Sequence, residues 1–181
     1  DKTLRKICYD TAHSMYGENL PEVVTERLER ELNSIISNGF ATMGISVPGA
    51  IGAKLVYPEK KILAVCGDGG FMMNCQEFET ALRVKAPFVT LIFNDSSYGL
   101  IKWKQMDQYG KSCCVDFTNP DFVKFAESMG AIGYRITKAE ELVPTLEKAF
   151  EQNVPVIIDC PVDYAENTKL TAHLKELMEK L

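Results

Sequence analysis

No apolar run in this 181-residue chain reaches the length of about eighteen residues that a membrane-spanning helix needs. Positive charge is also in short supply. Twenty Lys and Arg face 25 Asp and Glu, a net charge of -5. With no basic stripe along the chain, nucleic acid is not an expected partner. None of the six cysteines, at 8, 66, 75, 113, 114 and 160, forms a CxxC pair. A zinc site or a disulfide framework needs tighter spacing, so reduced cytosolic thiols are expected. Cys113 and Cys114 are neighbours, but adjacency alone says little about redox activity. The chain opens on the charged "DKTLRK" and not on a secretory signal, so the expected location is cytoplasmic. Repeats, linkers and low-complexity stretches are missing too. What remains is a chain that is 46% hydrophobic, the mark of a globular protein. Its length suits one domain, 1–181, with a sizeable core.

Four short apolar runs stand out: "KILAVC" (61–66), "FVTLIFN" (88–94), "AIGYRI" (131–136) and "VPVIID" (154–159). Continuous apolar runs of this length suit strands buried on both faces, as in a parallel sheet. Helical patterns separate them. "VPGAIGAKLVY" reads as a helix opened by Pro48. Asn74 with Glu77 approximates a capping box ahead of Phe78, Ala81 and Leu82. Asn119 and Pro120 start a helix that stops at Gly130. Thr137 with Glu140 repeats the box, with Pro144 in or near the first turn. A tail from Thr168 reads as an amphipathic helix. Strands alternating with helices predict an α/β fold: a doubly wound, mostly parallel sheet with helices on both faces.

The turn after the first run, "CGDGGFMMNCQEFETA", is rich in glycine and leads into a helix, a setting in which backbone amides cradle phosphate. A dinucleotide fingerprint fails, because Met72 stands where Gly or Ala is required. Asp68 also sits in the middle of the turn. Two like unit charges about 4 Å apart oppose one another by about 4 kcal/mol at an effective dielectric of about 20. A divalent cation reverses that sign. Magnesium takes about six oxygens, with one or two carboxylates and substrate phosphates among them. Asp95, in "FNDSSYG" just past the next strand, can be the second donor. Both acids then fall at carboxyl ends of neighbouring parallel strands, where open α/β sheets bind ligands.

Gly67-Asp68-Gly69 followed by Asn94-Asp95 resembles the thiamine-diphosphate motif. The likeness extends through "SNGFATMGISVPGAIGAKLVYP" (37–58), "GDGGFMMNCQEFETALRVKAP" (67–87), "FNDSSYGLIKWKQ" (93–105), "NPDFVKFAESMGA" (119–131) and "VIIDCPVDYAEN" (156–167). Together these are similar to the acetolactate synthase family, over residues 37 to about 170. The resemblance implies magnesium held by the Asp68 and Asp95 side chains and the Ser97 carbonyl. It implies thiamine diphosphate bound by Gly67, Gly69, Gly70, Met73, Tyr98 and Gly99, with the Gly69 and Gly70 amides on the diphosphate. The Ala41 carbonyl and Met43 amide would meet the aminopyrimidine, and the Met43 side chain would be the wedge that bends the cofactor. Met73 and Leu100 would line the substrate pocket. Without the family, Met43, Met72 and Met73 read as packing, and Trp103 is either a pocket wall or a helix face.

The implied reaction is decarboxylation of pyruvate and condensation of the resulting enamine with a second 2-keto acid. The chain would be the C-terminal third of a larger enzyme, a homodimer or homotetramer. The activating glutamate would come from a partner subunit, and the isolated domain would be inactive alone. Three departures from the family stand out. The second metal position, often Asn, is Asp95. The loop expected ahead of "SNG" to reach the diphosphate is missing around Val24–Thr25, and His13 does not replace it. The chain also holds only the last of three domains. Two rival readings remain: a subunit of a sulfo- or phosphonopyruvate decarboxylase, with Lys102 and Lys104 for the second anion, and a non-catalytic degenerate domain.

Overall fold

The computed structural model describes residues 42–164. Ala41, His13, the stretch around Val24–Thr25 and the tail from Thr168 lie outside the described residues. In chain order the elements are α1 (Ser46–Val56), β1 (Leu63–Gly67), α2 (Asp68–Met72), α3 (Glu77–Arg83), β2 (Val89–Asn94), α4 (Gly99–Tyr109), α5 (Phe122–Met129), β3 (Ile132–Arg135), a 3-10 turn (Ala139–Glu141), α6 (Leu142–Ala149) and β4 (Val156–Pro161). All four apolar runs are strands, displaced by up to two residues at their ends. They form one parallel sheet in the order β1-β2-β4-β3.

Side chains alternate across a strand, so each inner strand feeds two cores. Ile92 of β2 and Ile157 of β4 join Val47, Phe78, Phe122 and Ala126 from α1, α3 and α5 on one face. Val89, Leu91, Val156 and Ile158 point to the other face, against Ala149 of α6 and the half-buried Leu142 and Leu146. Helices therefore cover both faces, as the sequence pattern predicts.

Phe71 of α2 is fully buried, with Phe78, Phe122 and Phe125 set edge-on around it at centroid separations of 5.7, 5.4 and 5.7 Å. Edge-on pairs add about 0.5–1.5 kcal/mol each beyond their area. They pin a five-residue helix that has too few backbone bonds to hold itself.

Three helix starts differ from expectation. Asn74 caps nothing: α3 begins at Glu77, and the Asn74 amide reaches back to the Gly44 carbonyl at 3.0 Å. Asp121, not Asn119, caps α5, accepting from the amides of Val123 and Lys124. Glu141, not Glu140, gathers Thr137 Oγ1 and the amides of Thr137 and Lys138. Gly130 ends α5 as expected, in the left-handed region at φ +86°.

Candidate functional site

β1 and β2 run parallel with Gly67 opposite Phe93. Asp68 follows β1 directly and Asp95 follows β2 directly, so both acids leave the sheet at the same edge. Asp68 is 1% exposed. Its Oδ1 accepts from the Gly69 amide at 2.8 Å. Its Oδ2 accepts from the Ser96 amide at 2.7 Å and from Asn119 Nδ2 at 2.6 Å. Burying a carboxylate costs several kcal/mol unless donors surround it. A hydrogen bond to a charged group returns about 1.5–3 kcal/mol. A carboxylate has about four lone-pair positions. Three are occupied by described residues, and the fourth, on Oδ1, meets no donor among them.

Asp95 is half-buried and turned inward by its own loop. Its Oδ1 accepts from the Ser97 amide at 3.3 Å, and its Oδ2 accepts from Ser97 Oγ at 2.7 Å. Ser96 between them stands at φ +56°, uncommon for a residue with a side chain. That turn delivers its amide to Asp68. Gly99 opens α4 so closely that a Cβ there would lie 3.3 Å from Asp95 Oδ2 and 3.9 Å from Tyr164. The Tyr164 hydroxyl is pushed up from its ordinary range, first by burial, then by Asp95 and Asp68. One phenol thus feels both carboxylates.

A relay of polar side chains backs Asp68. Asn119 Nδ2 also donates to Asn94 Oδ1 at 3.0 Å. Asn94 Nδ2 donates to Asp159 Oδ1 at 2.9 Å, and Arg135 Nε donates to Asp159 Oδ2 at 2.9 Å. Arg135 reaches on to Asp121 at 3.3 Å. Asp159 is buried in β4, and Arg135 is the cation that balances it. The Asn119 Oδ1 is buried without a partner. Turning that amide over would set an oxygen against acceptors, which fixes its orientation.

The glycine turn is shaped by contact. A Cβ on Gly69 would meet the Tyr98 ring at 2.8 and 2.9 Å, and that ring lies 4.8 Å from the Phe117 ring. Gly70 has ordinary room, with Gly44 N 4.0 Å from a built Cβ. Met43 lies in the turn next to Gly44, whose φ of +90° favours glycine. Met43, Met72 and Met73 are 42%, 39% and 47% exposed, so the plain packing reading of these three does not hold. Leu100, on α4, is exposed as well, and Trp103 is half-buried on a helix with no fully buried residue.

The structure brings Gly67, Asp68, Gly69, Asp95, Ser97, Tyr98 and Gly99 together at one sheet edge, with Gly70 facing the Met43–Gly44 turn. Three residues of this network carry little signal in the sequence. Asn119 and Asn74 match the pattern of helix caps. Asp159 had one visible signal, an acid closing the apolar run 154–159. Among the described residues no group of three or more His, Cys, Asp and Glu gathers. The Asp68 and Asp95 carboxylates offer oxygen donors, the kind a hard ion such as magnesium takes. Among the described residues no helix is long and apolar enough to cross a membrane.

Residues 14–160 match the family described as thiamine pyrophosphate enzyme, C-terminal TPP binding domain. The chain is 45% identical over 141 residues to acetolactate synthase of Bacillus subtilis (strain 168), covering 78% of this chain and 25% of that protein. It is 39% identical over 146 residues to the catabolic acetolactate synthase of Raoultella terrigena, covering 80% and 26%. Among solved structures, the thiamine diphosphate-dependent 4-hydroxybenzoylformate decarboxylase of Rhodococcus jostii RHA1 superposes with a TM-score of 0.65 at 26% identity, covering 70% of this chain and 24% of that one. The chain spans about a quarter of the length of the relatives it matches.

Proposed function

Because the chain belongs to the thiamine pyrophosphate enzyme C-terminal domain family, we propose that it is the magnesium- and diphosphate-binding domain of an acetolactate synthase. The observation that carries this reading is Asp68: a buried carboxylate tied to the amide of Ser96 in the loop of Asp95, with one Oδ1 lone pair that no described residue fills. In this reading Asp68, Asp95 and the Ser97 carbonyl hold magnesium. The Gly69 and Gly70 amides receive the diphosphate, with Gly67, Tyr98 and Gly99 around it. The Ala41 carbonyl and Met43 amide orient the aminopyrimidine, and the Met43 side chain supports the bent cofactor from below. Met73 and Leu100 face the 2-keto acid. When bound, thiamine diphosphate supplies the electron sink for decarboxylating pyruvate and joining the two-carbon fragment to a second 2-keto acid.

The chain's own part is electrostatic. Two carboxylates next to a diphosphate repel it until a divalent ion sits between them, so cofactor and metal bind together or not at all. The asparagine relay keeps Asp68 from turning away when the ion is absent. Turnover requires an activating glutamate from another domain of a partner subunit, in a cytoplasmic homodimer or homotetramer of the full enzyme. A sulfo- or phosphonopyruvate decarboxylase subunit would need a basic cluster for the second anion. Lys102 is instead paired with Asp116 at 2.8 Å, which favours the acetolactate reading. Calorimetry tests the proposal. Thiamine diphosphate should bind with magnesium present and not in chelator, and Asp68→Ala should abolish the heat. Equal binding in chelator would defeat the assignment.

A further inference from the structure

Between α4 and α5 the chain carries Cys113 and Cys114, both exposed. Residues adjacent in an extended chain point to opposite sides. Here Cys114 takes a left-handed conformation at φ +56°, and the two sulfurs face one another at 3.3 Å. The remaining described cysteines, Cys66, Cys75 and Cys160, are each half-buried. The pair sits at the start of a strap clamped to the candidate site. The Cys113 amide is held by Gln105 Oε1 of α4 at 2.8 Å. The next residue, Val115, accepts the Tyr98 amide at 2.9 Å, and Phe117 donates to the Ser96 carbonyl at 3.0 Å. Asp116 bridges to Ser97 between them.

We propose that Cys113 and Cys114 form a reversible dithiol site that a peroxide closes into an intrachain disulfide. One thiol gives up its proton and its sulfur attacks a peroxide oxygen, the O–O bond breaks, and the departing hydroxide takes up that proton, so a sulfenic acid and water result. The second thiol gives up its proton and attacks that sulfur, an S–S bond forms, the S–O bond breaks, and the hydroxide leaves with that proton as a second water. Two electrons pass from the sulfurs to the peroxide. Adjacent Cα atoms lie only about 3.8 Å apart, below the usual disulfide span of about 4.4–6.8 Å. The ring is therefore strained, and strained, exposed disulfides are the labile class that a thiol reductant reopens. Closing it draws the backbone at 113–114 and with it Val115, so the clamp on Tyr98 slackens.

The test treats the full chain with hydrogen peroxide and maps tryptic peptides. Cleavage after Lys111 and Lys124 isolates "SCCVDFTNPDFVK", which contains no other cysteine. The expected product is this peptide lighter by two hydrogens, restored by dithiothreitol and lost in Cys113→Ser and in Cys114→Ser. Hydrogen exchange at the Tyr98 amide should rise severalfold in the oxidised chain and stay unchanged in either serine variant after the same treatment. A peptide left unmodified, or carrying added oxygen on a single sulfur, overturns the site. A closed ring with unaltered exchange at Tyr98 overturns the link to the strap. Neither readout requires cofactor, so both stand apart from the binding test of the proposed function.

Discussion

Replacing Gly133 by alanine tests how α5 is seated on the sheet. A Cβ at Gly133 of β3 would lie 2.6 Å from Val123 Cα, 2.8 Å from the Val123 carbonyl oxygen and 3.0 Å from Val123 Cγ1. Carbon atoms in contact normally stand about 3.5–4.0 Å apart. Helix and strand must therefore part by about 1 Å, since two of the three obstacles are backbone and cannot rotate away. α5 resists that movement, because Phe122 and Ala126 are fully buried and Asp121 is tied to Arg135. Overpacking of this kind costs about 1–3 kcal/mol, and the backbone contact puts Gly133→Ala in the upper half of that range. With a urea slope of about 2 kcal/mol/M, the unfolding midpoint falls by about 1 M. Far-UV circular dichroism across a urea series measures it. Gly52→Ala is the control: it lies inside α1, a built Cβ meets nothing within 4 Å, and alanine should stabilise the helix by about 0.5–1 kcal/mol. A Gly133→Ala loss below about 0.5 kcal/mol would refute the claim that this glycine sets the helix–sheet spacing.

Asn119→Ala leaves Asp68 Oδ2 with the Ser96 amide alone and Asn94 Oδ1 without its donor, which should cost about 1–3 kcal/mol of stability. With Asp68 in its proposed role as a magnesium ligand, the same variant should weaken magnesium-dependent cofactor binding about 10–100-fold, the usual cost of removing a group that orients a metal ligand, read by calorimetry. Asp121 is held below the usual carboxylate range, mainly by the Lys124 amide, with Arg135 and the Val123 amide adding to the effect. Its stabilisation is present above the ordinary value of about 3.9 and is lost as pH falls through the lowered one. Asp121→Asn keeps a cap but removes the titration. Its urea midpoint should therefore drop less than the parent's between pH 6 and pH 3, and an identical drop would refute the role.

Much of this architecture is legible in the sequence because it rests on local pattern. Short runs dominated by apolar residues mark the strands, and a glycine turn with an acid in it marks the strand end where the candidate site lies. The asparagines are a different matter. Asn74 and Asn119 each satisfy the local rule for a helix start, yet both spend their amides on partners 30 and 51 residues away. Neither amide is used locally: Asn119 serves the buried Asp68, which needs a donor in an apolar setting, Asn74 ties to the Gly44 carbonyl, and α5 takes Asp121 as its cap instead. The exposed Met43 could be anticipated only through family likeness, since apolar character by itself predicts burial.

The Asn74–Gly44 hydrogen bond has a mechanical consequence. It joins the Met43 turn to the segment that follows α2, so neither moves without the other. The gap between them is gauged by the length of a single amide side chain. Glutamine at position 74, longer by one carbon–carbon bond of about 1.5 Å, would push the turn outward. The fit of any molecule lodged there would then shift while the sheet stayed in place.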